Sequence, residues 1–170
     1  MSYNKDIAVQ ILAALQAANF PANALPFAFA QAAHESTGFT DPAGADNTSN
    51  NFSGLTYGGS ASQRATGAVP TNTQPDGNSH YAAYPGGIGD WAKDFYRFLC
   101  FNHGAGRPID ATNMTDYIGR LKTNGYFGDS IENYTRGMND YTAILTPDFA
   151  NVFHKEQLTK TLPPLPPELV

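Results

Sequence analysis

The sequence predicts a mainly α-helical α+β domain that carries one small β-hairpin lobe. Two observations lead to this fold class. Apolar residues recur at helical spacing in the first 35 residues and again from residue 88 onward. Between these parts, residues 40–87 lose the periodicity and are rich in Gly, Asn, Ser, Thr, Asp and Pro. A segment of that length is too long for a plain loop, so we expect it to form the lobe, with tight turns at its glycines.

Six segments combine a periodic apolar face with caps or helix breakers at their ends. The predicted helices cover residues 4–18, 24–35, 88 or 90 to 101, and 112–123, followed by a fifth helix capped by Asp129 with Glu132 three residues later and a short sixth opened by Thr146 and Pro147. The third has a continuous stripe of apolar and aromatic residues and is expected to be the central core helix.

Residues 1–160 are predicted to form a single domain, and residues 161–170 an extended proline-rich tail. No apolar run approaches the roughly 18 to 20 residues that a membrane span needs, so no span is expected. The apolar stripes are sufficient for one core, which favours a monomer. The first six residues lack the features of a secretory signal, so we expect the chain to be made and kept in the cytoplasm unless another route exports it.

Composition excludes several classes of function. The net charge is −5 and the 10 Lys and Arg residues are scattered singly, so a nucleic-acid partner is not expected. The lone Cys100 lies within an aromatic helix and is predicted to be a small buried hydrophobic residue. His80, His103 and His154 are too dispersed for metal-ligand spacing, so neither a metal nor another cofactor is expected.

Glu35 is the first candidate for chemistry. It lies near the carboxyl end of a helix of small apolar residues, where unpaired carbonyls and desolvation both disfavour a negative charge. A general acid in glycoside hydrolysis needs this setting, although a solvated glutamate at a helix end has the same position in sequence. The neighbouring His34 points about a hundred degrees away around the helix and is expected in the core or in a groove wall.

Four segments in order resemble the bacterial glucosaminidase family of peptidoglycan hydrolases, which is lysozyme-like. Residues 32–39 (Ala-Ala-His-Glu-Ser-Thr-Gly-Phe) are similar to its Ala-x-Glu-Ser-Gly motif. Residues 50–55, residues 81–99 and the Gly-Tyr-x-x-Asp-x-x-Tyr-like segment from Gly125 to Tyr134 follow in the family's order. The resemblance implies a lysozyme-like helical body, Glu35 as the catalytic acid and Tyr126 at the border of the catalytic groove.

The sequence does not identify the second catalytic group. Where the family often has a lobe glutamate, this sequence has Gln74. Asp76 and Asp46 are the nearest carboxylates, and either is also an ordinary turn residue. A separation from Glu35 of roughly 6.5 to 9.5 Å would suit an inverting mechanism, and about 5 to 5.5 Å a retaining one. A third route uses the N-acetyl group of the substrate as nucleophile, positioned by Gln74, Asn51 or Tyr126.

We expect the sugar rings to be bound by polar and aromatic residues of the lobe, namely Asn51, Ser53, Tyr57, Gln74 and Tyr81. Tyrosines offer flat surfaces with a hydroxyl tip, although each is equally suited to packing the lobe. Because the chain is acidic, binding to an anionic cell wall must depend on a shaped groove.

The resemblance implies an endo-acting N-acetylglucosaminidase that cleaves peptidoglycan. The alternatives are a muramidase or lytic transglycosylase on the same fold, or a non-catalytic glycan-binding or structural module, which the presence of Gln74 favours. A hydrolase without a signal would reach the wall through lysis or a secretion machine, as a phage lysin or a delivered effector. An effector would require an immunity protein as an inhibitory partner.

Overall fold

The computed structural model describes residues 1–43, 48–75, 77–102, 104 and 106–153. This part of the chain contains seven α-helices, one 3₁₀ helix at Pro108–Asp110 and two short strands. In chain order the elements are α1 (Lys5–Ala17), α2 (Leu25–Glu35), α3 (Ala61–Ala65), β1 (Val69–Pro70), β2 (Ala82–Ala83), α4 (Ile88–Leu99), α5 (Met114–Thr123), α6 (Ile131–Leu145) and α7 (Ala150–Phe153). The predicted mainly helical fold with a small β-hairpin is confirmed.

Capping side chains determine where several helices begin. The side chains of Asn4, Ser60, Asn113 and Ser130 each accept a hydrogen bond from a backbone N–H three residues further on. The predicted cap of α6 was therefore wrong by one residue. Asp129 instead accepts from the backbone N–H of Ser130 and from the Asn133 amide.

The predicted bounds of the first four helices agree with α1, α2, α4 and α5 to within two residues. The short last helix is present, but its predicted start was wrong. Thr146 follows the end of α6, and its backbone N–H donates to the Thr142 carbonyl, so α7 begins only at Ala150. The predicted tail, residues 161–170, lies outside the described residues, as do His103 and His154.

The helices outside the lobe, α1, α2 and α4 to α7, form the body of the protein, and α2 is its most buried helix. Every residue from position 26 to 33 is buried, and the helix packs against α1, α6 and α7. Helix α4 packs against α1 with its aromatic stripe, in which Trp91 and Phe95 are stacked with ring centroids 5.4 Å apart. Both aromatic side chains are fully buried, so the prediction that this stripe belongs to the core is confirmed.

His34 fills the contact between α2 and α6. A Cβ placed on Gly137 of α6 would lie 2.3 Å from the His34 ring, so the ring occupies the space of a missing side chain. The ring also packs edge-on against Tyr134, with centroids 4.8 Å apart. Burial lowers the pKa of His34. His34 is therefore a packing residue between two helices. The sequence predicted a position in the core or in a groove wall, and the structure shows the first.

The lobe contains less β-structure than expected and one helix that the sequence did not reveal. Strands β1 and β2 pair antiparallel, with Val69 opposite Ala83, and an isolated bridge joins Thr56 to Tyr81. Helix α3 contains only five residues, too few to show a helical period. The buried carboxylate of Asp94 on α4 accepts hydrogen bonds from Tyr84 and from Ser62 of α3, which fixes the lobe to the body.

Cys100 lies at the end of α4 and is buried. Burial raises the pKa of its thiol to about 11, so the sulfur stays protonated at neutral pH and is a poor nucleophile. The predicted role as a buried hydrophobic residue fits this position. Within the described ranges, no helix has the length and apolar character that crossing a membrane would require.

Candidate active site

Glu35 is the last residue of α2, and the chain turns sharply just after it. Thr37, Gly38 and Phe39 all have positive φ, at 49°, 71° and 65°. The turn passes so close to the amino-terminal segment that a Cβ on Gly38 would lie 2.4 Å from the Ser2 carbonyl oxygen, so glycine is required there. The reversal leaves the Glu35 side chain, itself partly buried, at the end of a buried helix and facing the lobe.

The two carboxyl oxygens of Glu35 have different surroundings. Oε1 accepts a hydrogen bond of 2.5 Å from the Tyr134 hydroxyl. Oε2 faces Gly54 of the lobe, where a Cβ would lie 3.6 Å from this oxygen and 4.0 Å from the Tyr81 ring. One oxygen is thus held by Tyr134, and glycine at position 54 puts no side chain against the other.

Two opposing effects determine the pKa of Glu35. Burial is the larger and raises it, because the charged carboxylate loses hydration. The hydrogen bond from Tyr134 lowers it, because a donor favours the ionised form. The net rise makes Glu35 a better proton donor near neutral pH than an ordinary glutamate, in the direction that its position in the sequence predicted.

Three tyrosine hydroxyls make hydrogen bonds in this region, and that of Tyr134 contacts the carboxyl directly. Tyr134 donates to Glu35, Tyr117 donates to Oε1 of Gln31, and Tyr126 donates to the Ser53 carbonyl. Burial is the main cause that raises the pKa of all three phenols well above the usual value, and the Glu35 charge adds to it. These hydroxyls therefore remain protonated and act as donors at every pH at which the protein would work.

The loop between α5 and α6 presents aromatic residues to the site. Lys122 donates to the carbonyls of Phe127, Gly128 and Asp129, which holds the loop closed. The Phe127 ring then stacks on Tyr134 with an interplanar angle of 6° and centroids 3.9 Å apart. This stack fixes the Tyr134 ring and directs its hydroxyl at Glu35.

Two of the predicted substrate-binding residues have a different role. Asn51 is fully buried, and its amide bonds with the backbone N–H and carbonyl of Leu55 and with the Ala82 carbonyl. Ser53 is also fully buried, and its hydroxyl accepts a hydrogen bond from the Trp91 indole. The prediction that these side chains contact sugar was wrong in this conformation, because backbone and core groups occupy their polar atoms. They shape the segment that carries Gly54.

The remaining predicted residues divide into two groups. Tyr81 and Tyr126 lie beside Gly54 and Ser53, next to Glu35. Tyr57 and Gln74 make their described contacts within the lobe: Tyr57 lies against Gly59, and the Gln74 amide lies 2.9 Å from a ring nitrogen of His80. Asp76 and Asp46, the predicted carboxylate partners of Glu35, lie outside the residues that the structure describes.

Three residues of this site were not predicted from the sequence. Tyr134 belongs to a segment recognised there, but its hydrogen bond to Glu35 depends on the approach of α6 to α2. Gln31 precedes Glu35 by four residues, a spacing that places both on one face of a helix and could have identified it. Lys122 acts on a loop several residues away, and no spacing rule indicates this.

A concavity between the lobe and α4 lies close to Tyr126. Its walls include Leu55, Gln63, Asp94 and Phe98, and the Phe98 ring packs against Tyr126 with centroids 5.4 Å apart. Glu35 is not among the residues that line this hollow.

Among the described residues, no three His, Cys, Asp or Glu side chains come close enough to hold a metal ion. Comparisons of the chain with models of protein families, with curated proteins and with solved structures gave no match. A function for this site must therefore be inferred from its residues and their geometry.

Proposed function

We propose that the protein is a glycoside hydrolase that cleaves the glycan strands of peptidoglycan, with Glu35 as general acid. The observation that carries this proposal is the asymmetric Glu35 carboxyl. Burial raises its pKa, Tyr134 holds one oxygen, and the other oxygen faces the lobe beside Gly54. A desolvated, oriented carboxylic acid at the join of two parts of a protein is suited to protonating a glycosidic oxygen.

In the proposed reaction, Oε2 of Glu35 transfers its proton to the leaving oxygen as the bond from that oxygen to the anomeric carbon breaks. The hydrogen bond from Tyr134 stabilises the carboxylate formed at that moment, because a donor to a charged oxygen is stronger than one to a neutral carboxyl. Water then adds to the anomeric carbon and transfers a proton to a carboxylate, which is the lobe aspartate in a direct displacement or Glu35 itself where an intermediate forms first. We expect Tyr81 and Tyr126, which lie beside Gly54 and Ser53, to contact the sugar near the scissile bond.

Activation of the water, or stabilisation of the cation, requires a second group. We assign this role to a lobe carboxylate, Asp76 or Asp46, or to the N-acetyl group of the substrate. The variants Asp76→Asn and Asp46→Asn separate these routes. Loss of activity in one of them identifies the carboxylate, and full activity in both supports assistance by the substrate.

The preferred bond is that of an endo-acting N-acetylglucosaminidase, a choice supported by the four ordered segments that resemble that family. The net charge of −5 requires that the groove, rather than charge attraction, bind the wall. We propose that the protein acts as a monomer on the wall after release by lysis or delivery by a secretion machine. In the second case, an immunity protein covering Glu35 is the expected partner.

The test is digestion of purified peptidoglycan by the parent and by Glu35→Gln, followed by mass spectrometry of the products. We expect reducing-end N-acetylglucosamine from the parent and a loss of at least about a thousandfold in the variant. Glu132→Gln, which removes an exposed carboxyl on α6, serves as control and should retain parental activity. Circular dichroism checks that each variant is folded.

Other products would change the assignment. Reducing-end muramic acid would identify a muramidase, and an anhydromuramic product a lytic transglycosylase. Wall binding by a parent that releases no product would refute catalysis and identify a glycan-binding module.

A further inference from the structure

The lobe contains a second hollow, separate from the concavity beside α4. It is lined by residues 69–72 and 83 of the β-hairpin, with Thr48, Asn50 and Pro85 around them, and we call it the hairpin hollow. Its volume of about 620 Å³ lies within the roughly 300 to 1,000 Å³ that small-molecule sites occupy. The hairpin hollow is therefore large enough to admit a small ligand.

The register of the hairpin determines which face carries the hairpin hollow. Successive side chains of a strand point to opposite faces. Ala82 is fully buried, so Tyr81 and Ala83 both point to the outer face. Val69 lies opposite Ala83 in the antiparallel pair and points to that face as well. The hairpin hollow and the Tyr81 side chain thus lie on one face of the lobe.

Tyr81 connects this face to the candidate acid. Its ring lies 4.0 Å from the Cβ position of Gly54, and that position lies 3.6 Å from Oε2 of Glu35. Ala83, which lines the hairpin hollow, is two residues further along the strand, a distance of about 7 Å. A chain of sugar rings that contacts Tyr81 can therefore continue into the hairpin hollow.

The chemistry of the lining is mixed and neutral. None of the described residues that line the hairpin hollow carries a charge. The Asn50 amide donates to the carbonyls of Thr48 and Tyr84, which fixes its orientation and leaves Oδ1 as an acceptor. Asn72 presents an exposed amide, and Val69 leaves an apolar side chain 44% exposed. The lining suits an uncharged ligand that has both polar and apolar groups.

A sugar unit with an acetamido group has this combination. Its N–H can donate to Oδ1 of Asn50, and its carbonyl can accept from the Asn72 amide. Its methyl group and ring C–H groups can pack on Val69 and Pro85. An anionic ligand would find no cationic side chain among the described lining residues, so the lining favours the neutral sugar.

We propose that the hairpin hollow binds an N-acetylhexosamine unit of the glycan strand, beyond the sugar that contacts Tyr81. The proposal deepens the proposed glycosidase function and rests on it for its catalytic consequence. Sugar binding itself is a property of the folded protein and can be tested without activity.

The test is an NMR titration with N,N′-diacetylchitobiose, a neutral pair of N-acetylglucosamine units. We expect the methyl resonances of Val69 and Ala83 and the side-chain amide resonances of Asn72 to move together, with one dissociation constant. Cellobiose has hydroxyls in place of both acetamido groups and should bind at least about tenfold more weakly, because the lining amides lose their partners. Unmoved resonances at these residues, or equal affinity for cellobiose, would overturn the proposal.

A filling variant tests the same contact from the side of the protein. Ala83→Leu extends a side chain into the hairpin hollow, and Ala65→Leu makes the same change on an exposed position of α3. Affinity for the disaccharide should fall about tenfold or more in the first variant and stay parental in the second. Circular dichroism checks that both are folded.

Val69→Ser provides a second variant, which adds no bulk. It removes an exposed apolar contact from the same face and should weaken binding about fivefold. Parental affinity in folded Ala83→Leu, or in Val69→Ser where Ala83→Leu does not fold, would overturn the proposal.

Kinetics separate this proposal from the proposed function. On peptidoglycan, Ala83→Leu should raise KM at least about fivefold with kcat nearly parental, because a remote sugar contact is equal in the ground and transition states. A lower kcat with unchanged KM would overturn the proposal. A parent that binds the disaccharide in the hairpin hollow but cleaves no glycan refutes the proposed function alone, whereas cleavage without this binding refutes the subsite alone.

Discussion

The phenolic hydroxyl of Tyr134 donates a 2.5 Å hydrogen bond to Oε1 of Glu35, and so joins two residues that are 99 positions apart in the chain. Tyr134 is almost fully buried and is held by the stacked Phe127 ring. The bond therefore has a fixed direction. It restrains the carboxyl while leaving Oε2 towards the lobe, and it partly offsets the effect of burial on the pKa of Glu35.

Tyr134→Phe should shift the pH dependence of the proposed glycan cleavage. Removal of the donor raises the pKa of Glu35 further, so the acid stays protonated to higher pH and the alkaline limb of the rate profile moves upward. The maximal rate should fall about tenfold, because the carboxyl loses its fixed direction. Profiles of kcat against pH for both proteins provide the measurement.

The control for this change is Tyr141→Phe, which removes a hydroxyl from a buried tyrosine of the same helix. Its alkaline limb should coincide with that of the parent. An unshifted limb in Tyr134→Phe, or one that moves downward, would contradict the role assigned to the hydrogen bond.

Glu35→Gln should stabilise the folded protein at neutral pH. At pH values above 4.5 the unfolded chain loses the Glu35 proton while the folded protein retains it, so parental stability falls until the pH passes the raised pKa. The amide variant has no such loss. Its advantage in the free energy of unfolding should be absent well below pH 4.5 and grow as the pH rises, by about 1.4 kcal/mol for each pH unit between the two pKa values.

Urea unfolding at a series of pH values measures this difference. Glu132→Gln removes an exposed carboxyl, for which burial imposes no such loss, and should not reproduce the growing difference. A constant difference between parent and Glu35→Gln across the range would show that burial does not raise the pKa of Glu35.

Gly54→Ala should lower activity by more than its small loss of stability explains. The new methyl would contact Oε2 of Glu35 at 3.6 Å and cover it from the lobe side. Gly67→Ala is a matched control, because both glycines have a φ above 60° and no atom lies within 4 Å of the Cβ position at Gly67. Each change should cost about 1 kcal/mol through backbone strain.

Only the change at position 54 should lower the rate of glycan cleavage, by about tenfold or more. Thermal unfolding and product release are measured on both variants. Equal rates in the two variants would show that Oε2 does not donate the proton from the side that faces Gly54.

Asn51→Asp should destabilise the lobe although it changes only one atom. The new carboxylate would keep an acceptor for the Leu55 N–H but would replace the amide donor that faces the carbonyls of Leu55 and Ala82. The expected loss in the free energy of unfolding is about 3 kcal/mol. Asn72→Asp on the exposed surface of the lobe is the control and should change stability by less than about 0.5 kcal/mol.

A different result would restore the sequence-based interpretation of Asn51. If Asn51→Asp had parental stability and reduced only the affinity for glycan, its side chain would be a sugar ligand rather than a structural amide. Urea unfolding and binding to insoluble peptidoglycan distinguish these outcomes.

The local sequence determined most of the helical framework. Apolar periodicity and caps such as Asn4 and Asn113 act within one or two turns of chain, so they are visible without a structure. Because these signals act only over such a short stretch of chain, two local features were predicted wrongly or not at all. Helix α3 is too short to show a period, and the choice of Ser130 over Asp129 as cap depends on the conformation of the turn.

Glu35 could also be identified from the sequence, because the end of an apolar helix is a local feature. What surrounds its carboxyl was decided by tertiary structure. Tyr134 reaches Glu35 only because α6 packs on α2, and Asn51 is turned inward only because the carbonyls of Leu55 and Ala82 meet there. Sequence patterns record which side chains share a face of one element, whereas a hydrogen bond between distant segments depends on how the elements pack.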